Sequence, residues 1–234
     1  MIKQKKTGQL IVISAPSGAG KDTVVKELMK KNPDEFWVSV SATSRLPREG
    51  EQEGVDYYYL TKEEFEEKIN EDFFIEYTNY AGNYYGTPKK YIKEKLDKGK
   101  DVILIIEIEG ASNIKKLIPE ALMIFIMPPS LKELVRRLKK RGTETDEKII
   151  KRFHTAYKEI NEVTKYNYVV VNDILEDAVE KVESIIKAEK CRVDRIEEVF
   201  LDTKEEEIHE LLMNEEFDNT PIEDRIEEES WKII

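Results

Sequence analysis

The chain has one cysteine and two histidines among its 234 residues. Cys191 alone excludes an intrachain disulfide and any Cys-rich zinc site. His154 and His209 are too few for a histidine cluster, and His154, on an expected long helix, reads as structural. No apolar run approaches the ~20 residues that a membrane span needs. The opening Met1–Gly8 is basic, with no apolar signal-peptide core before a cleavage-like site. The 10 glycines and 8 prolines form no linker, and no internal repeat is visible. These absences point to a soluble, cytoplasmic protein with no membrane partner.

Positive charge is also in deficit. There are 38 Lys/Arg against 49 Asp/Glu, a net charge of −11. Such a balance argues against a surface that grips nucleic acid or an anionic membrane. The excess is not spread evenly. Residues 190–234 hold 6 cations and 16 anions, which leaves 32 cations and 33 anions in residues 1–189. The acidity therefore belongs to a C-terminal extension. Its anchors, among them Ile208, Leu211, Leu212, Phe217 and Trp231, would let it dock on its own domain or on a partner, with a helix expected around Lys204–Met213.

What the chain does contain is a rhythm of buried strands and helices. Leu10–Ser14, Val102–Ile108, Leu122–Met127 and Tyr168–Val171 are apolar runs suited to central strands. Between them lie helical stripes such as Val24, Val25, Leu28 and Met29. Thr61 with Glu64, and Ser130 with Glu133, have capping-box spacing. Thr87-Pro88 reads as an N-cap followed by Pro at the first helical position, and Gly99 ends that helix. A long helix is expected over Thr145–Lys165 and a last one over Ile174–Glu189. The pattern predicts an α/β fold with a parallel sheet flanked by helices. Residues 37–87 break it with short strands at Trp37–Thr43, Tyr57–Leu60 and Phe73–Tyr80, as an inserted antiparallel lobe would. Ligands in such sheets collect at the carboxyl ends of the strands.

One such end carries Ala15-Pro16-Ser17-Gly18-Ala19-Gly20-Lys21, between a strand and a helix. Small residues there free backbone N–H groups to converge on phosphate oxygens, and the helix N-terminus adds positive potential. Lys21 would bridge the outer phosphates. The strict Gly-x4-Gly-Lys-Ser/Thr pattern is missed twice, at Ala15 and at Asp22. Asp22 would hold Mg2+ through water or cap the helix, and Thr23 would offer a hydroxyl one place later. Arg45 and Arg48 flank Pro47 and are suited to clamp a phosphate.

These stretches, taken together, resemble guanylate kinase. The likeness runs from about residue 9 to 189 and includes Ser14–Thr23, Ser39–Glu51, Asp56-Tyr57, Phe74-Ile75-Glu76, Gly82–Thr87, Pro128–Ser130, Arg141–Thr145 and Val171–Asp173. It implies a P-loop kinase core over 9–36 and 88–189, a GMP-binding lobe over about 37–87, and a helical lid over about 137–157. The implied reaction is ATP + GMP ⇌ ADP + GDP with Mg2+. By resemblance, Ala15–Thr23 and Asn172 would bind ATP. Lys21, Arg137, Arg141 and Arg152 would stabilise the transferred phosphoryl group. Ser41, Arg45, Arg48, Glu51, Tyr57, Glu76, Tyr85, Thr87 and Glu107 would bind GMP. Guanine presents N1–H and a 2-amino group, both donors, and the acceptor-only carboxylate of Glu76 suits them. The family's Asp-Ile-Asp-x-Gln-Gly is Ile105-Ile106-Glu107-Ile108-Glu109-Gly110 here, so Mg2+ handling differs, with Asp22, Thr23 and Glu107 as candidate ligands. Two other functions stay open: a nucleotide-binding module without turnover, and a P-loop kinase for another acceptor such as a ribose bisphosphate. The chain would act as a monomer or homodimer.

Overall fold

The computed structural model describes residues 2–4, 7–80, 82–140 and 146–199. The chain divides into two compact units, Lys6–Lys190 and a second built from Met1–Lys5 with Cys191–Ile234. In the second, β1 (Ile2–Gln4) pairs antiparallel with β11 (Ile196–Val199), Ile2 opposite Val199. The expected turn at 141–145, with Arg141, and the expected helix at 204–213 lie outside the described residues.

The larger unit is built on a five-stranded parallel sheet. Its members are β2 (Leu10–Ser14), β3 (Phe36–Val38), β8 (Asp101–Ile105), β9 (Leu122–Met127) and β10 (Tyr168–Val171), in the order β10-β9-β2-β8-β3. Both faces are covered, which is why the central strands read as unbroken apolar runs. Ile11 and Ile13 pack with Val24 and Leu28 of α1 (Lys21–Lys31) and with Val179, Val182 and Ile186 of α7 (Leu175–Glu189). Leu10 and Val12 point the other way, onto Ile92 of α3 (Lys89–Asp97) and Ala111 and Ile114 of α4 (Ile108–Leu117). Each fully buried Leu or Ile in these layers stabilises by roughly 1.5–3 kcal/mol.

The inserted lobe is a second sheet of β4 (Ala42–Thr43), β5 (Tyr58–Tyr59), β6 (Phe74–Tyr80) and β7 (Asn83–Pro88), in the order β5-β4-β7-β6. It is mixed rather than wholly antiparallel, because β5 runs parallel to β4. Helix α2 (Lys62–Asn70) starts at Thr61, and both hydrogen bonds of its capping box are made. Phe65 stacks on Phe74 and Tyr84 and closes the lobe's small core.

Other expectations also need correction. The predicted strand Trp37–Thr43 is two strands in different sheets, since the chain passes from core to lobe between β3 and β4. Thr87 does not cap α3. It lies within β7, its hydroxyl donates to Glu76, and Pro88 is the N-cap. The run Val102–Ile108 is not one strand: β8 stops at Ile105 and α4 begins at Ile108, a helix whose buried face an apolar run cannot distinguish from strand. The long helix is α6 (Asp146–Ile160) followed by a 3-10 segment, Asn161–Lys165. It is preceded by α5 (Leu131–Lys140), where Ser130 Oγ accepts from Glu133 N–H at 3.1 Å, while the Glu133 carboxylate turns to Arg136 and Arg137.

Candidate functional site

The loop from Ala15 to Gly20 leaves the carboxyl end of β2 and enters α1. Gly18 and Gly20 have φ of +93° and +94°, a region that favours glycine. Gly20 is also held by space: a Cβ there would lie 2.6 Å from Asn172 Nδ2. The loop is anchored from three elements. Asn172, after β10, donates through Nδ2 to Ala19 O at 2.8 Å. Arg137 of α5 donates to Ala19 O at 3.3 Å and to Asn172 O at 2.9 Å, with its Nε on Glu133. Arg152 of α6 donates through Nη2 to Ser17 Oγ at 2.7 Å. Three residues expected at the nucleotide thus converge on the loop itself.

Lys21 points across the site to Glu107, Nζ to Oε1 3.2 Å. Burial works against its charge, but Glu107 and Asp22 outweigh burial and hold the ammonium above its ordinary value. Asp22 and Thr23 are exposed in the first turn of α1. Glu107 stands where β8 gives way to α4 and is the N-cap of that helix. Among the described residues no group of three or more His, Cys, Asp or Glu gathers to hold a metal ion.

In the lobe, Glu51 is the hub of a second cluster. Its carboxylate takes Arg45 Nη1 and Nη2 at 3.0 and 2.9 Å, Arg48 N–H at 2.7 Å and Tyr59 OH at 2.8 Å. Burial alone would raise its pKa, but these donors pull it down to about 2. Arg45 also lies over the ring of Tyr57, 5.4 Å from its centre, and Tyr57 meets the edge of Tyr85 at 6.0 Å. Burial raises the Tyr57 hydroxyl, and the Lys21 charge acts on it in the opposite sense. The side chain of Arg48 is exposed.

Glu76 and Thr87 sit opposite each other on β6 and β7, with Thr87 Oγ1 donating to Glu76 Oε1 at 2.5 Å. Glu76 is only 6% exposed, and its Oε2 has no hydrogen-bond partner among the described residues. Burial first, then the nearby Glu109 charge, push the carboxyl up to about 7 against the pull of Thr87. Glu109 is fixed by Thr78 Oγ1 at 2.6 Å. Gly110 leaves the gap that Oε2 occupies, for a Cβ there would be 2.5 Å away. Ser41 immediately precedes β4, and the Ala42–Gly86 pair carried one step further brings it opposite Thr87.

Several members of the site carry no motif signal. Tyr59 shares a strand face with Tyr57, the period of two being its only signature. Glu159 accepts from Ser17 N–H at 3.1 Å, and it follows Arg152 by two helical turns. Tyr80, whose hydroxyl is pushed up to about 12 by burial and by Glu159 and Glu107, lies near both Lys21 and Arg152.

Comparison with known proteins places this geometry. The guanylate kinase family model matches residues 7–189. A guanylate kinase of Clostridium tetani is 60% identical over 205 residues, 88% of this chain and 98% of the relative. One from Clostridium acetobutylicum is 58% identical over 88% of this chain and 97% of its own length. The crystal structure of guanylate kinase from Anaplasma phagocytophilum, 32% identical, superposes with a TM-score of 0.71 over 92% of this chain and 97% of that one. The chain belongs to the guanylate kinase family.

Proposed function

We propose that the two clusters divide the substrates between them, GMP in the lobe and ATP on the phosphate loop. The reaction is transfer of the γ-phosphoryl group of ATP to GMP, giving ADP and GDP. The observation that carries the acceptor assignment is the buried, unpartnered Oε2 of Glu76. A carboxylate in that position accepts from guanine N1–H and from the 2-amino group. Adenine would set a lone pair against it and leave a buried acceptor unpaired, at a cost of roughly 1–3 kcal/mol. Ser41 and Thr87 complete the edge. Arg45, ordered by Glu51, and Arg48 bind the GMP phosphate together with Tyr57 and Tyr85.

Backbone N–H groups within Gly18–Thr23 hold the ATP phosphates, while the Ser17 N–H is taken by Glu159. Lys21 leaves Glu107 for the outer phosphates, and Arg137, Arg141 and Arg152 neutralise charge as it spreads over the transferred group. No general base is required, since the nucleophile is already an anionic phosphate oxygen. Catalysis then consists of positioning and exclusion of water. Asn172 supports the loop through Ala19 and faces the adenine side. The acids present suit Mg2+ carried on ATP, because Asp22 and Glu107 offer carboxylates beside Lys21 without enclosing a cage. When bound, Mg2+ would neutralise phosphate charge there. The chain has no helix among its described residues long and apolar enough to cross a membrane.

Steady-state ADP release with GMP, dGMP, AMP, UMP, CMP and a ribose bisphosphate tests this assignment. Turnover with GMP far above AMP is expected. GMP binding without turnover would leave a binding module, and preference for the sugar phosphate would move the acceptor class. The retained Lys21, Arg137 and Arg152 around the loop favour turnover over a silent module.

A further inference from the structure

Glu159 is a largely buried acid beside the phosphate loop that the transfer reaction does not use. It lies on α6 seven residues after Arg152, so both side chains leave the same helix face. Both end on one residue. Arg152 donates to Ser17 Oγ through Nη2 at 2.7 Å and Nε at 3.3 Å, and Ser17 N–H donates to Glu159 Oε2 at 3.1 Å. Ser17 opens the stretch that includes Gly18 and Gly20, the most pliable positions of the loop. The next residue but one, Ala19, is tied elsewhere, to Asn172 and Arg137. The Ser17 end is therefore set from α6.

Electrostatics alone gives no reason for a carboxylate here. Burial opposes its ionisation, and Glu107 adds to that, so the carboxyl sits above its ordinary value despite Ser17, Lys21 and Arg152. A negative charge next to a polyphosphate site also works against the ligand. What Glu159 provides is a charge-assisted acceptor for a loop N–H, paired with a donor to the same residue's hydroxyl.

We propose that Glu159 is a positioning residue that, with Arg152, grips Ser17 from its N–H and its hydroxyl, so that loop shape and the placement of the Arg152 guanidinium are set together. Glu159 touches neither substrate and acts through Ser17. The inference rests on the assignment of Ala15–Thr23 as the ATP phosphate loop. That assignment has its own test: Lys21→Ala should abolish transfer while GMP binding persists, and a fully active Lys21→Ala would overturn the loop, not the grip.

The grip is tested in the full chain with Glu159→Ala, Glu159→Gln, Arg152→Ala and the double variant Glu159→Ala/Arg152→Ala. Thermal unfolding confirms that each is folded. Glu159→Ala should lower kcat/KM for ATP about tenfold or more, with the KM for GMP held within about twofold. Glu159→Gln keeps a carbonyl acceptor and should recover to within about threefold of the parent. Adding Glu159→Ala to Arg152→Ala should cost less than about threefold, because Glu159 acts only through Ser17, which Arg152→Ala has already released. Tighter binding of ATP or inorganic pyrophosphate by Glu159→Ala would overturn the proposal and make Glu159 an internal competitor. Additive losses, or no change in ATP kinetics, would overturn it as well.

Discussion

Thr87 Oγ1 and Glu76 Oε1 are 2.5 Å apart, joined across the β6–β7 ladder, and the second carboxylate oxygen is buried with no partner among the described residues. The protein keeps this group at a cost that depends on pH. With its pKa raised from 4.5 to about 7, Glu76 retains a proton that the unfolded chain has already released between those values. Stability therefore falls as pH rises through that window and is level above it, by roughly 3 kcal/mol in all. Glu76→Gln should raise the melting temperature of the ligand-free protein at pH 8 and leave it nearly unchanged at pH 4.5. An equal shift at both pH values would show that burial does not carry the effect.

With GMP bound as proposed, the same group would link GMP binding to proton release. Only the ionised carboxylate accepts both guanine donors, so binding at pH 6 should expel nearly one proton from Glu76, and almost none at pH 8. Calorimetry in two buffers of different ionisation heat measures this, with Glu76→Gln as the reference that removes the contribution of the GMP phosphate. Equal proton counts in the two proteins at pH 6 would contradict the assignment.

Glu51 gathers four donors from Arg45, Arg48 and Tyr59. Its pKa of about 2 keeps it ionised above pH 4, so it adds no pH dependence near neutrality. Glu51→Ala should raise the KM for GMP by about 10- to 100-fold with the KM for ATP nearly unchanged, while Tyr59→Phe, which removes one donor of four, should cost about two- to fivefold. Initial rates with each substrate varied in turn distinguish the two effects.

Gly110 tests the pocket by volume rather than charge. An added methyl would fall 2.5 Å from Glu76 Oε2, so Gly110→Ala must displace the carboxylate. GMP affinity should drop about tenfold, with ATP affinity preserved. Unchanged GMP affinity would mean that Oε2 does not face the base.

The core strands and the phosphate loop were legible because each is local: an apolar run, or small residues before a helix. Capping at Thr61 was legible for the same reason. Thr87 misled because its neighbour Pro88 supplied a helix-start signal, while its true partner, Glu76, lies across a hairpin. Helix α4 was hidden because its buried start continues the apolar run of β8. Tyr59 and Glu159 were invisible as site members, since hydrogen bonds to Glu51 and Ser17 depend on how distant segments meet. The acceptor residues are proposed from resemblance, and the electrostatics of Glu76 and Glu51 come only from the structure.

The central claim is that Glu76 selects guanine for an ATP-dependent transfer. Its most direct test is the ratio of kcat/KM for GMP to that for AMP, in the parent protein and in Glu76→Ala. A large ratio is expected in the parent, collapsing by about two orders of magnitude or more in the variant, mainly through lost GMP turnover. A ratio left intact in Glu76→Ala would contradict it.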